Sequence, residues 1–110
     1  MSDTPAAGDI LDRLGKTIQS RLTADAGTSY VASLAAKGQD AILKKVAEEA
    51  AETLLASKDG DKLHLIRETA DLWFHCMVLL AWHGARPEDV LAELARREGT
   101  SGIDEKSSRV

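Results

Sequence analysis

The sequence predicts an all-α domain, a helical bundle of about four to five helices. Three observations predict it. Apolar residues recur at three- and four-residue spacing through most of the chain. Alternation of period two is absent, and the β-branched residues are scattered. Between the glycine and proline breaks, the segments are rich in Ala, Leu, Glu and Lys, the strongest helix formers.

Ile10, Leu11, Leu14, Ile18 and Leu22 step along one helical face, with Asp9 placed to cap it. Thr23 to Ser29 reads as a loop. Tyr30, Val31 and Leu34 predict a short helix ended by Gly38. Asp40 to Ser57 is the next helix, broken by Lys58-Asp59-Gly60-Asp61, whose last residue can cap the helix after it. The longest helix runs from Lys62 to His83 and stops at Gly84. Pro87 suits the first turn of a further helix, which Val90, Leu91 and Leu94 carry to about Arg97. Residues 1–8 are therefore expected to be a flexible N-terminus, 9–97 the domain, and 98–110 a tail without periodicity.

Composition limits what such a domain does. The chain has 110 residues, 44% of them hydrophobic, so it can bury a core and is not disordered. Its 18 acidic residues outnumber 14 basic ones, for a net charge of −4, which argues against a surface for nucleic acid. The single cysteine excludes an internal disulfide framework, and no Cys/His spacing suggests structural zinc. No stretch approaches the ~20 apolar residues that cross a bilayer, and the first residues lack the basic start and apolar run of a signal peptide. A cytoplasmic protein is expected.

Leu63, Leu65, Ile66, Leu72, Trp73, Phe74, Met77, Val78, Leu79, Leu80 and Trp82 nearly encircle the longest helix. A helix apolar all round is buried all round. With so few other helices in the chain, the expected cover is a second subunit; the alternative is a central helix wrapped wholly by its own chain.

On a wheel of ~100° per residue with Ile42 at zero, Glu48, Glu52 and Glu49 fall near ~240°, ~280° and ~340°, with Lys45 among them at ~300°. They border an apolar arc made by Val46, Leu43, Ala47, Ala51, Leu54 and Leu55. On the next helix, Glu68 and Asp71 meet at i, i+3 among apolar surroundings, where an isolated carboxylate either takes up a proton or finds a cation. In one reading the glutamates form an ordinary solvated face paired with Lys44 and Lys45, and Glu68 pairs with Arg67 or another base. In the other, a short turn sets the two helices antiparallel and gathers the carboxylates into one cluster. Divalent cations must then lie between them, and hard oxygen ligands select Mg2+ or Mn2+.

Lys45 to Glu52 (KVAEEAAE) followed by Glu68 to Asp71 (ETAD) resembles the carboxylate signature of the all-α, MazG-like nucleoside triphosphate pyrophosphohydrolases. Ser29-Tyr30, Lys37-Gly38, Ile42-Leu43-Lys44-Lys45-Val46, Ala56-Ser57-Lys58-Asp59-Gly60, Ala70-Asp71-Leu72, His75, Val78-Leu79-Leu80 and Asp89 to Leu94 further resemble the phosphoribosyl-ATP pyrophosphatase family. The likeness covers roughly residues 9 to 97 and extends to the tail. Trp73 and Phe74 stand where Leu and Tyr are expected. The resemblance implies metal-dependent hydrolysis of phosphoribosyl-ATP to phosphoribosyl-AMP and pyrophosphate, a step of histidine biosynthesis. It implies metal binding by Glu49, Glu52, Glu68 and Asp71, and the outer faces of the site helices, which need a partner to bury them, point to a homodimer. Glu48 is then an outer ligand or the base that positions water, with Glu48 and Glu49 as the catalytic pair. Lys37, Lys44, Lys45, Arg96 and Arg97 become candidate phosphate contacts. A cyclohydrolase, fused to this activity in many organisms, is expected here as a separate chain.

Two other functions fit the same residues. One is house-cleaning hydrolysis of non-standard nucleotides by the same chemistry; the other is a non-catalytic helical adaptor with an acidic stripe for a basic partner. His64 and His75 lack the Glu-x-x-His spacing of di-iron bundles and are expected to be structural. Cys76, in an apolar run, is expected to be a buried small hydrophobe. Removing Glu48, Glu49, Glu52, Glu68 and Asp71 from the 18 acidic residues leaves fewer than the 14 basic ones. On this reading the acidity of the chain is a site, and a nucleotide held through divalent cations is compatible with it.

Overall fold

Helix signals along the chain are answered almost one for one in a computed structural model, which describes residues 7–108. Six helices follow in order: α1 (Ala7–Arg21), α2 (Tyr30–Ala36), α3 (Gln39–Asp59), α4 (Lys62–Trp82), α5 (Pro87–Arg97) and α6 (Gly102–Ser108). There is no strand among the described residues. Asp61 caps α4, its side chain accepting from the His64 N–H at 3.2 Å, and Pro87 opens α5. Gly60 takes the left-handed conformation (φ 76°) that closes α3, which lets two residues reverse the chain.

Three details differ from the sequence reading. α1 begins at Ala7, so Asp9 lies in its first turn, where it favours the helix dipole, and is not the cap. Ser29 caps α2, accepting from the Ala32 N–H at 3.2 Å. The tail is not aperiodic throughout: Ser101 accepts from the Asp104 N–H at 3.1 Å and starts α6. That helix buries none of its described side chains. Residues 1–6, part of the expected flexible terminus, lie outside the described residues.

The principal packing is the antiparallel pair α3 and α4, with α1 against α4 and α5, and α2 against α3 and α1. Ile18, Val31, Leu34, Ile42, Met77, Val78 and Ala81 form the core, flanked by Leu11, Leu14, Leu22, Ala41, Phe74 and Leu79. This core closes around the start of α3 and the end of α4. The other end of the hairpin runs on without cover: Leu54 (69% exposed), Leu55, Leu63, Ile66 and Trp73 (60%) face solvent.

The apolar arc read from the α3 wheel is therefore not its packed face within one chain. Buried positions on α3 are Ile42, Glu49 and Ala56, seven residues apart, the spacing of an antiparallel helical seam. Nor does the chain wrap α4 by itself, since Leu63, Ile66, Trp73 and Trp82 stay exposed. A radius of gyration of 16.2 Å, against about 13 Å for a compact chain of this length, reflects the same openness.

Candidate active site

Midway along the hairpin, where the core ends and the bare tip begins, α3 and α4 face each other through carboxylates. Glu49 occupies a seam position between Ile42 and Ala56 and is 7% exposed. Glu68 and Asp71 approach it from α4. Among the described residues these three make one group in which one oxygen from each lies within 4.8 Å of the others. Glu52, one turn beyond Glu49, is the neighbour that raises the Glu68 pKa most. Burial and Asp71 raise it further, and His64 opposes them. His64 Nε2 sits 3.2 Å from Glu68 Oε1, so the base beside Glu68 is His64 and not Arg67.

Glu49 Oε2 and Glu68 Oε2 are both buried without a hydrogen-bond partner. Orphaned buried acceptors cost about 1–3 kcal/mol each, and more when charged. A solvated acidic face does not look like this. Closely set, partly buried oxygens with free lone pairs and no thiolate or imidazole among them are the donor set of a hard divalent cation. The four carboxylates expected as ligands are thus brought together: Glu49, Glu68 and Asp71 as a compact group, Glu52 against Glu68.

The remaining residues of interest take different places. Glu48 is exposed on the outer flank of α3, 3.6 Å from Lys45 Nζ, whereas Glu49 Oε1 lies 3.7 Å from the same nitrogen. Lys45 consequently lies at the edge of the cluster. Lys44 is exposed on α3, and Lys37 is exposed at the C-cap of α2. Arg96 and Arg97 both bind Glu93, Arg96 through Nη2 at 2.7 Å, and together they hold the Glu93 pKa down at about 2. Val90, Leu91 and Leu94 of their helix, all exposed, line an open apolar groove together with Trp73, Cys76, Met77 and Leu80 of α4. On the α4 wheel those residues lie roughly half a turn away from Glu68 and Asp71. Cys76 is a half-buried wall of that groove, its pKa raised by burial, as expected of a small hydrophobe.

One polar arrangement escapes the sequence reading. His75 is 7% exposed, and its Nδ1–H donates to the Asp71 carbonyl at 2.8 Å. Its Nε2 therefore accepts the Tyr30 hydroxyl, also at 2.8 Å. The i, i+4 spacing of Asp71 and His75 is the available signal for the first bond; nothing local signals the second, which joins residues 45 positions apart.

The chain is similar to known proteins over most of its length. The family model described as phosphoribosyl-ATP pyrophosphohydrolase matches residues 11–98. A phosphoribosyl-ATP pyrophosphatase of Chromobacterium violaceum is 68% identical over 101 residues, covering 92% of this chain and 94% of that protein. One of Nitrosospira multiformis is 64% identical, over 92% and 84% of the two chains. One of Azoarcus sp. is 60% identical, over 92% and 94%. With the carboxylate signature of the sequence gathered on α3 and α4 and the match running from within α1 to the end of α5, the chain belongs to the phosphoribosyl-ATP pyrophosphohydrolase family.

Proposed function

We propose that the chain hydrolyses phosphoribosyl-ATP to phosphoribosyl-AMP and pyrophosphate, the histidine-biosynthesis reaction, at the cluster formed by Glu49, Glu52, Glu68 and Asp71. The observation that carries this is the pair of orphaned carboxylate oxygens inside a three-residue acidic group. Glu49, Glu68 and Asp71 are the ligands of a divalent cation, Mg2+ with Mn2+ as its substitute, and Glu52 completes the set beside Glu68. When bound, such a cation neutralises the substrate's phosphates and makes water more acidic.

The chain's own residues supply the rest. Water adds to the phosphorus at the α–β bridge, the bridge oxygen leaves with pyrophosphate, and one proton of the water must be removed. Glu48, exposed and outside the ligand group, is the candidate to accept that proton or to hold an outer-shell water; Glu49 orients the same edge of the site. Lys45, beside both, meets the charge that gathers on the leaving pyrophosphate. Lys37, Lys44, Arg96 and Arg97 are proposed as further phosphate contacts.

A homodimer is part of the proposal, supported by the uncovered residues Leu54, Leu55, Leu63, Ile66 and Trp73. No described helix is long and apolar enough to cross a membrane, which suits a cytoplasmic biosynthetic enzyme. Purified protein incubated with phosphoribosyl-ATP and Mg2+ should release pyrophosphate, and Glu52→Gln should suppress the release. Absence of release, or equal release by the variant, would refute the assignment. A panel of non-standard nucleoside triphosphates tests the house-cleaning alternative.

A further inference from the structure

A tyrosine ordinarily buries its ring and leaves its hydroxyl in water. Tyr30, the single tyrosine of the chain, is inverted. Its hydroxyl donates at 2.8 Å to Nε2 of His75, which is 7% exposed, while Tyr30 itself stays 51% exposed. Solvent therefore meets the apolar ring and not the polar tip. The ring is also held. His75 Nδ1–H donates to the Asp71 carbonyl, which leaves Nε2 as the acceptor and fixes the direction of the phenol. His75 meets the Tyr30 ring edge to face with centroids 5.7 Å apart, and Phe74, packed against the core, flanks it at 6.4 Å. A ring bonded at its tip and packed against two others keeps one orientation.

Its place follows from α4. At ~100° per residue, Glu68, Asp71 and His75 lie within an arc of about 60°. His75 stands one turn, about 6 Å, beyond Asp71. The partner of His75 is thus set along the face that carries the acidic group, roughly one turn from it. The bare apolar face is elsewhere, since Ile66 and Trp73 project about 160–180° away from His75 on the same wheel. A second subunit seated on that face lies on the other side of α4.

We propose that the exposed ring of Tyr30 is the platform on which the adenine base of the substrate stacks, with His75 and Phe74 as the residues that hold it. In a nucleotide a single sugar separates the base from the α-phosphate. Phosphates gathered at Glu49, Glu68 and Asp71 therefore bring the base to a point about one helical turn away, where this ring stands. A rigid aromatic face binds a base at little entropic cost, because its rotamer is already fixed. The inference rests on the proposed hydrolysis of phosphoribosyl-ATP.

Tyrosine-ring NMR of the wild-type, full-length protein in Mg2+ tests it directly, since one tyrosine gives one set of ring signals. Phosphoribosyl-AMP, which carries the base, should move those signals upfield through the ring current of a stacked purine. Pyrophosphate, which has no base, should leave them in place. This reading needs no substitution and holds whether or not a variant folds. Steady-state kinetics give a second one: Tyr30→Leu should raise both KM for phosphoribosyl-ATP and the inhibition constant of phosphoribosyl-AMP about tenfold, the effect of one lost stacking contact. The inhibition constant of pyrophosphate should move far less, and Tyr30→Phe, which keeps the ring, should recover most of the affinity. Ring signals that ignore an inhibitory concentration of phosphoribosyl-AMP, or that answer pyrophosphate equally, would overturn the platform. So would equal weakening of both inhibitors by Tyr30→Leu, the mark of a mere tether between α2 and α4. A wild type that releases no pyrophosphate from phosphoribosyl-ATP removes the proposed reaction and the platform together, whereas the other outcomes remove the platform alone.

Discussion

Glu49→Gln should make the metal-free protein more stable and the enzyme inactive. The magnitude comes from the neighbours of Glu49. Glu68 and Asp71 present oxygens within 4.8 Å, and Lys45 Nζ lies at 3.7 Å. At an effective dielectric constant of about 20, each repulsion is about 3 kcal/mol and the attraction about 4, so the charge on Glu49 is a net cost of about 2 kcal/mol. Asp71 is exposed and Lys45 partly so, and solvent screening brings the figure to about 1 kcal/mol. Glutamine keeps the shape, removes the charge, and gives Glu68 and Asp71 a donor. In chelator, at fixed protein concentration, the variant should melt about 4 °C or more above the wild type. Millimolar Mg2+ should reverse the order. The wild type gains stability by mass action, about 2.7 kcal/mol where Mg2+ is a hundred times its dissociation constant, and the variant gains little. Pyrophosphate release should fall by ~100-fold or more, since a proposed ligand is lost outright. Circular dichroism melts with and without Mg2+, beside the activity assay, give both readings on the same samples. The reasoning is refuted if Glu49→Gln melts below the wild type in chelator while Mg2+ still stabilises it.

Three further outcomes are expected. The Glu68 pKa is raised above its ordinary value, so its protonated form favours the fold. Stability of the metal-free protein should accordingly be greatest below about pH 4.5 as far as this group is concerned, and should fall as pH rises through the elevated value. Saturating Mg2+ should flatten that slope, as a pH series of melts would show. Gly15→Ala should destabilise by about 1–2 kcal/mol despite alanine's helix preference, because the new Cβ would stand 2.7 Å from Pro87 Cδ where α1 meets α5; urea titration measures it. Light scattering should find the proposed dimer in the wild type and a monomer in Trp73→Glu, with Tyr30→Phe, away from the bare face, as the unaffected control.

Much of this molecule is legible because its signals are local. Gly60 and Asp61 end one helix and start the next within two residues, and Pro87 announces α5. A short turn favours antiparallel neighbours for α3 and α4, so spacing offers a gathered carboxylate cluster as one of two readings, beside a solvated acidic face. Partners across the fold are not legible. The helical wheel of α3 shows where apolar residues lie but not which side meets another helix. Leu54 and Leu55 look like core and are exposed, whereas Glu49 looks like a border residue and is buried. Periodicity reports an apolar face whether its cover is the same chain or another. His75 reads correctly as structural, but the Tyr30 contact depends on how α2 packs, which no spacing encodes.

The seam position of Glu49 also explains why a chain this small keeps an unfavourable residue at its centre. Ile42, Glu49 and Ala56 follow one another at a seven-residue interval along the line where α3 meets α4, and an apolar residue at the middle position would tighten the hairpin. Instead the line carries a carboxylate with an orphaned oxygen, opposite a second orphaned oxygen on Glu68. On the proposed function, the arrival of a divalent cation between them would relieve both costs at once. A surface cluster would bind the same ion at lower cost, but its carboxylates would rotate freely and water would screen them. Packing would hold the proposed ligands in place before the substrate arrives, and that preorganisation is what a phosphate-transfer site requires. The proposed homodimer would make up the missing stability where the chain is still bare, along Leu54, Leu55, Leu63, Ile66 and Trp73. If a second subunit covers them, the energy of association offsets the strain of the site. Metal binding, association and activity should then rise and fall together: a variant that weakens the dimer should bind Mg2+ less tightly although every ligand is intact, because the hairpin that fixes their spacing is no longer clamped from outside.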